Sequence, residues 1–432
     1  MDSTYTELCF LLDAAAKANT SVYLHLDPLV WDVTDPKSEK NLAICTPESR
    51  FTIPMSAENL PFIFAVLKRS IFAENRTVIG WDLKPLFSWL KRGLKKFDLP
   101  KMRYFDLRYL EKYVGINLEK PTTFSEAQSR ASVITKQENW KEVTTIWQKV
   151  IRPLATTVVP ALENNGFLNV ERAIRVYPCY EVEAQDNGRM SCSESFAAGI
   201  NVHTMSEELR DKLCPKELDE IFMYFDYSNM EVSVLQWLAG DEDLGDFMGG
   251  GKFYENLCEF LFGKVANENS RKLAKKIFLP AIYGQSAVGM ANKLPCREQL
   301  AEEIINRLKQ QFAKSFRYVE HFQDEADKNG VVRDRFGRRR YITESYLARS
   351  FSIASPATAI SLERLVALHN LNVSPLLMSI HDGFVVSASQ KNAVSVCAAV
   401  KDCLESESTL APGLKLKVHC TVGRSLGGMT GL

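Results

Sequence analysis

The sequence predicts an α/β fold in its first quarter and a mixed α+β fold through most of the rest. Three observations carry this. Short apolar pieces alternate with helical stretches over residues 21 to about 115, a single helical passage fills much of 116–174, and from 175 onward strands and long amphipathic helices mix. A chain of 432 residues is long enough for two or three domains with real cores.

In the first segment, "SVYLHLD", "LAICT" and "RTVIGWD" read as strands, and "NLPFIFAVLKRSIFA" and "KPLFSWLKRGLKKF" as helices, giving a small α/β domain over 1–115. The connector, 116–174, starts polar and turns helical through "NWKEVTTIWQKVIRPLATTVVPALENNGF", with Asn165-Gly166 as its stop signal. In 175–432, "EIFMYFDYS" reads as a strand and "REQLAEEIINRLKQQFAKSFRYVEHFQDEADKNG" as a long amphipathic helical region. "LLMSIHDGFVVSAS", 376–389, reads as two strands joined by a tight turn, with Asp382-Gly383 as the turn signal because glycine tolerates positive φ. No internal repeat or low-complexity tract is evident.

Bulk composition narrows the class. The 46% hydrophobic and 25% charged content is that of an ordinary soluble protein, and the formal net charge is zero. A nucleic-acid partner would therefore need a local concentration of basic residues. The ten cysteines show no C-x-x-C spacing and there are six histidines, which argues against a zinc site and for reduced thiols in a reducing compartment. The N-terminal twenty residues lack a basic n-region, so no signal or transit peptide is expected. No apolar stretch is read as long enough to span a membrane. The expectation is an intracellular protein with no membrane partner: cytoplasmic, or nuclear in a eukaryotic or viral setting.

Two carboxylates stand out. Asp226 ends a predicted strand, and Asp382 sits at a hairpin tip between apolar strands. Each has an ordinary reading, as a helix N-cap and as a turn residue. Carboxylates at the ends of buried strands are also what a pair of divalent ions needs, because Mg²⁺ takes a few carboxylates plus substrate phosphates. In "RKLAKKIFLPAIYGQSA", Arg271, Lys275, Leu279 and Tyr283 lie four apart. A step of four advances about 40°, so all four share one helix face within about 120°. Two cations leading to an aromatic suit a triphosphate with its sugar and base at the tyrosine end.

These residues carry a resemblance. D-Y-S-x-x-E at 226–231, R-x-x-x-K-x-x-x-x-x-x-x-Y-G at 271–284 and H-D at 381–382 resemble the three polymerase motifs of family A DNA polymerases, the bacterial DNA polymerase I group, in the family's order. "DNGRMSCS" (186–193), "NGVVRDRFGRRRYI" (329–342) and the closing "LKLKVHCTVGRSLGG" resemble further family stretches, so the likeness covers roughly 175–432. It implies a polymerase palm built on an antiparallel sheet, with helical fingers at about 252–345. It implies a template-directed DNA polymerase acting on primer-template DNA and dNTPs with two Mg²⁺ ions. Carried over by position, Asp226, Asp382 and the backbone carbonyl of Tyr227 would hold the metals, and Glu231 would be the steric gate that favours dNTPs. Arg271 and Lys275 would bind phosphates, Leu279 would face the sugar and Tyr283 would stack near the templating position. Arg189 and His381 would contact the primer end. The five arginines between 333 and 340, among them Arg335, Arg338, Arg339 and Arg340, would bind DNA phosphates.

The sequence also departs from the family. Leu279 replaces an aromatic residue, Pro280 a glycine, which should kink the helix, and Gly383 a glutamate. The Asn and Gln expected before the hairpin are not evident in "RSFSIASPATAIS". Only a few residues separate "ENNGFLNV" from "RVYPCYEVEAQDNGRMS", where family members carry a long helical thumb. The implied outcome is weak, distributive DNA binding unless a partner protein supplies the grip. Residues 1–115 resemble a ribonuclease H-like 3′–5′ exonuclease domain that has decayed. "VYLHLDP" offers His25 and Asp27 where an Asp-x-Glu metal pair belongs, and Leu86 takes a second carboxylate's place, so no proofreading is expected. The alternatives are a noncatalytic nucleic-acid-binding or assembly protein on a polymerase scaffold, or a polymerase specialised for gap filling, priming or terminal transfer.

Overall fold

A computed structural model describes the chain except residues 1–20, 28–40, 48, 57, 72–76, 95–102, 117–118, 195–197, 264–266 and 295. The expectation about the N-terminal twenty residues, and Cys9 with it, falls outside the described residues. The chain divides into two compact units: residues 1–223, 374–393 and 422–430, and residues 224–373, 394–421 and 431–432.

The first unit opens with a mixed five-stranded sheet of β1 (Val22–Asp27), β2 (Asn41–Cys45), β3 (Arg50–Pro54), β4 (Thr77–Trp81) and β5 (Arg103–Asp106), in the order β3-β2-β1-β4-β5. β1 pairs antiparallel with β2 and β2 with β3, whereas β1–β4 and β4–β5 are parallel. The three strands read from sequence are present. β3 and β5 are additional; β5 is short and β3 has only one buried residue, so neither shows a strong apolar signal. Helices Leu60–Val66 and Lys84–Gly93 follow as expected, each with proline in its first turn, where the missing N–H costs nothing.

The connector is helical from Trp140 to Asn165, with π-helical turns at Trp147–Ile151 and Leu154–Val158. It stops at Gly166, whose φ of +55° favours glycine and where a Cβ would lie 2.6 Å from the Tyr177 ring. After it come β6 (Phe167–Asn169), β7 (Ile174–Glu181), β8 (Ser191–Ser193), β9 (Gly199–Ile200) and β10 (Leu213–Cys214), in the order β10-β6-β7-β8 with β9 parallel to β7. Only residues 170–173 join β6 to β7.

β11 (Glu220–Tyr227) is the strand read in "EIFMYFDYS". In the second unit it leads into helix Met230–Ala239, which packs beneath the long helix Leu347–Leu371. The long amphipathic region is two helices, Glu298–Gln311 and Ala313–Asn329, broken at Phe312 (φ −114°), whose ring is wholly buried. Phe253, Phe278 and Phe312 meet edge-on, with ring centroids 4.9 and 5.5 Å apart, at the centre of this helical core. β12 (Val331–Arg333) and β13 (Arg339–Tyr341) form a separate hairpin. Helix Leu347–Leu371 is long and apolar enough to cross a membrane, which corrects the expectation that no stretch was; 89% of its apolar window is buried inside the protein.

The last hairpin, β14 (Leu376–Ile380) and β15 (Gly383–Ser389), is antiparallel and belongs to the first unit. β16 (Val418–Gly423) follows helix Ala393–Glu405.

Candidate active site

The candidate residues fall in both units, and each group is built by its own elements. In the second unit, Asp226 is exposed near the end of β11, and the Tyr224 hydroxyl donates to it at 3.4 Å. It does not cap the next helix. The N-cap is Asn229, held in the left-handed region (φ +54°). Its neighbour Tyr227 is buried, and the hydroxyl donates to the Leu404 carbonyl at 3.0 Å. The Ser228 amide donates to the Lys417 carbonyl at 2.8 Å. These bonds fix the backbone on the C-terminal side of Asp226, while its own carboxylate stays open to solvent.

Helix Glu268–Ile282 carries the expected row. Ala274, Ile277, Phe278 and Ala281 face the aromatic core, and Arg271 and Lys275 lie exposed on the other side. An Asn267–Ser270 capping box starts this helix. It runs through Pro280 without ending there. Arg271 reaches Glu255 at 3.3 Å, and the Lys275 ammonium stands 5.3 Å above the Tyr254 ring. Leu279 packs half-buried against the core. Tyr283 caps the helix, and its hydroxyl donates to Glu231 at 2.7 Å. Two motifs 52 residues apart thus meet in a charge-assisted hydrogen bond. Gly284 (φ +88°) follows, where a Cβ would crowd Arg349 at 3.1 Å.

The arginine-rich turn divides. Arg335 is exposed, while Arg339 and Arg340 are half-buried, with their guanidinium groups 5.1 Å from the Tyr341 ring and 5.7 Å from the Phe351 ring. Arg338 is buried and faces Asp334. Asp334, itself buried, accepts from the amides of Phe336 (2.9 Å) and Arg338 (2.8 Å) and from the Ser355 hydroxyl (2.6 Å). Burial pushes its carboxyl above the usual range, against the pull of the Arg338 charge. Arg338 is therefore part of the turn's interior and is not displayed on its surface.

In the first unit, β14 and β15 pair in register to Ile380 and Gly383, leaving His381 and Asp382 as a two-residue turn. The positive φ falls on His381 (+54°), where the sequence reading expected glycine to supply it, and Gly383 is already in the strand. A non-glycine residue at that φ is strained and needs support from its surroundings. His203 supplies part of it: the two imidazoles stack with centroids 5.1 Å apart at 25°. The His203 Nε2 lies 3.1 Å from the Ser379 carbonyl, which can only accept, so that nitrogen carries the proton. Burial first, then the nearby His381, lowers the His203 pKa. Arg189 Nη2 stands 3.9 Å from the half-buried Asp382 carboxylate. Sequence reasoning missed His203 and Tyr180, each of which touches Ser379; "GINVHTMS" and "VYPCYEV" carry no motif, and only the fold reveals them.

Among the described residues no cluster of three or more His, Cys, Asp or Glu side chains forms a ready metal cage. Asp226 and Asp382 are each accessible hard oxygen donors, the kind of ligand that suits a cation whose remaining ligands come from water and substrate phosphates.

The profile of DNA polymerase family A matches residues 115–428, well over half of the chain. The thermostable DNA polymerase I of Thermus aquaticus is 26% identical over 307 residues, covering 66% of this chain and 35% of that protein. DNA polymerase I of Bacillus caldotenax is 26% identical over 279 residues, covering 59% of this chain and 32% of that one. The chain thus spans about a third of the length of these relatives. A solved structure, the POL domain of Pol1 from M. smegmatis in complex with DNA primer-template and dNTP, matches with a TM-score of 0.73 over 97% of this chain and 98% of that one. At 14% identity that likeness is one of fold.

Proposed function

Because the chain belongs to DNA polymerase family A, we propose that it is a template-directed DNA polymerase that adds dNTPs to a primer 3′-hydroxyl. The observation that carries this reading is the helix Glu268–Ile282 with Arg271 and Lys275 among its exposed cations and its terminal Tyr283 bonded to Glu231. On this reading Arg271 and Lys275 take the triphosphate, and Tyr283 holds the Glu231 carboxylate against the sugar edge, where it excludes a 2′-hydroxyl. Leu279 gives that sugar an aliphatic wall in place of an aromatic one. Arg189 and His381 orient the primer end, and Arg335, Arg339 and Arg340 meet DNA phosphates, while Arg338 shapes their loop. The reading assigns Asp226, the Tyr227 carbonyl and Asp382 to two Mg²⁺ ions, which would supply charge stabilisation for the attacking and leaving oxygens.

Residues 1–115 are read as a ribonuclease H-like, exonuclease-type domain without proofreading activity. The sheet order β3-β2-β1-β4-β5 supports the fold. The loss of activity is supported by Asp27, whose carboxylate is already taken by Lys120 (2.6 Å) and Arg50 (2.7 Å). Residues 116–174 are read as the connector and 175–432 as palm and fingers. The four-residue link between β6 and β7 supports a polymerase of low processivity, served by a partner that replaces the thumb. All nine described cysteines are free thiols, which supports a reducing compartment.

Mg²⁺-dependent dNTP binding, measured by fluorescence or calorimetry on the unaltered chain and on Lys275→Ala, tests the reading. Binding that needs Mg²⁺ and weakens on the order of tenfold or more in the variant is expected, because a desolvated charge–phosphate contact is lost. Absence of dNTP binding at any Mg²⁺ concentration would favour a noncatalytic scaffold.

A further inference from the structure

The outer edge of β14 is held by side chains that no polymerase motif contains. Asn165 Nδ2 donates to the Leu376 carbonyl at 2.7 Å. The Tyr180 hydroxyl donates to the Ser379 carbonyl at 3.0 Å and accepts from the Ser379 amide at 2.8 Å, as a neighbouring strand would. His203 donates to the same carbonyl. Tyr180 is itself fixed by an ion pair that is almost wholly buried. Glu163 Oε1 accepts from the Tyr180 amide at 3.0 Å, and the Lys84 ammonium donates to Glu163 at 2.6 Å and to the Tyr180 carbonyl at 2.7 Å. Ser88 binds the other carboxylate oxygen at 3.0 Å. Lys84 and Ser88 lie on helix Lys84–Gly93 of the N-terminal α/β segment.

We infer that Lys84, Glu163, Tyr180 and His203 are positioning residues for the His381–Asp382 turn, and that the N-terminal segment is kept as its brace. The chain runs without a gap from Lys84 through Glu163, Tyr180 and Ser379 to a turn whose first residue is strained. A buried Lys–Glu pair contributes little net stability, and its best-attested use is to fix one arrangement among competitors. Here each charge also satisfies the backbone of Tyr180, the residue that grips Ser379. A strained residue persists only where its surroundings over-determine it, and the stack of His203 on His381 together with the Tyr180 grip does this. The contacts also give the N-terminal segment a role that needs none of the carboxylates it lacks. The catalytic part of the inference rests on the polymerase reading, whereas the brace does not.

Two variants test it in the full chain: Tyr180→Phe, which removes one oxygen and keeps the ring, and Lys84→Met/Glu163→Gln, which leaves no lone buried charge. Amide hydrogen exchange is followed in the peptide 376–389 and, as a control, in 41–54, beside the primer-extension rate. Exchange in 376–389 faster by about fivefold with 41–54 unchanged is expected, since local opening reports local support. A primer-extension rate about tenfold lower with unchanged dNTP half-saturation is expected beside it, because misplacing a reacting group costs rate and not binding. Unchanged exchange at 376–389 in Tyr180→Phe would overturn the brace, as would a rise shared equally with 41–54. If the unaltered chain extends no primer, the polymerase reading fails, and the exchange comparison still decides the brace.

Discussion

His25 illustrates how burial alone can make a residue respond to pH. It sits in the middle of β1, 2% exposed, between Ala43 on β2 and Trp81 on β4. Burial first, and the Lys120 charge second, lower its pKa from the ordinary 6.5 to about 4, against the attraction of Asp27 at 3.4 Å. The folded chain therefore keeps this imidazole neutral in a range where the unfolded chain protonates it. Stability present above pH 6.5 is lost as pH falls toward 4, up to about 3 kcal/mol at the lower end. Thermal unfolding from pH 7 to 4.5 should show a steeper fall for the unaltered chain than for His25→Leu; parallel profiles would contradict this. At this scale the sequence revealed the groups that lie in motifs, Asp226, Lys275 and Tyr283 among them. It did not reveal His203 or Tyr180, which act on the backbone of a strand from 176 and 199 residues away.

Elements were legible where one periodicity dominated. β11, β14 and helix Glu268–Ile282 each carry a continuous signal and stand as read. The break at Phe312 was hidden because both flanking helices share an amphipathic pattern and a phenylalanine suits either. The turn chemistry at 381–383 misplaced the positive φ by two residues, since a glycine next to an Asp outweighs a histidine in any local rule. The arginine-rich turn was read as a loop of DNA-phosphate contacts, and the buried Asp334 that holds it together was not foreseen. Asp334→Asn keeps the shape but weakens bonds to two amides and leaves Arg338 without its counter-charge. A loss of about 2–4 kcal/mol is expected in urea unfolding of the chain, with the circular dichroism spectrum unchanged. A change under about 0.5 kcal/mol would contradict the assignment, because surface substitutions usually fall in that range.

On the scale of the whole molecule, the order of α/β segment, helical connector and mixed region was legible because each has its own periodicity. The two compact units were not, since the hairpin 374–393 returns across some 150 residues to join the first unit. No local pattern encodes such a return. It gives the N-terminal segment its contact with the hairpin, through Glu163 and Tyr180. The most direct test of the central claim is extension of a recessed-end primer-template with Mg²⁺ and four dNTPs, comparing the unaltered chain with Asp382→Ala. Template-matched extension that falls by about a thousandfold or more in the variant is the predicted result, since the carboxylate would anchor the ions that stabilise the transferring phosphoryl group. No extension by the unaltered chain at high concentration and low salt, with duplex still bound, would contradict it and leave Asp382 as a turn residue.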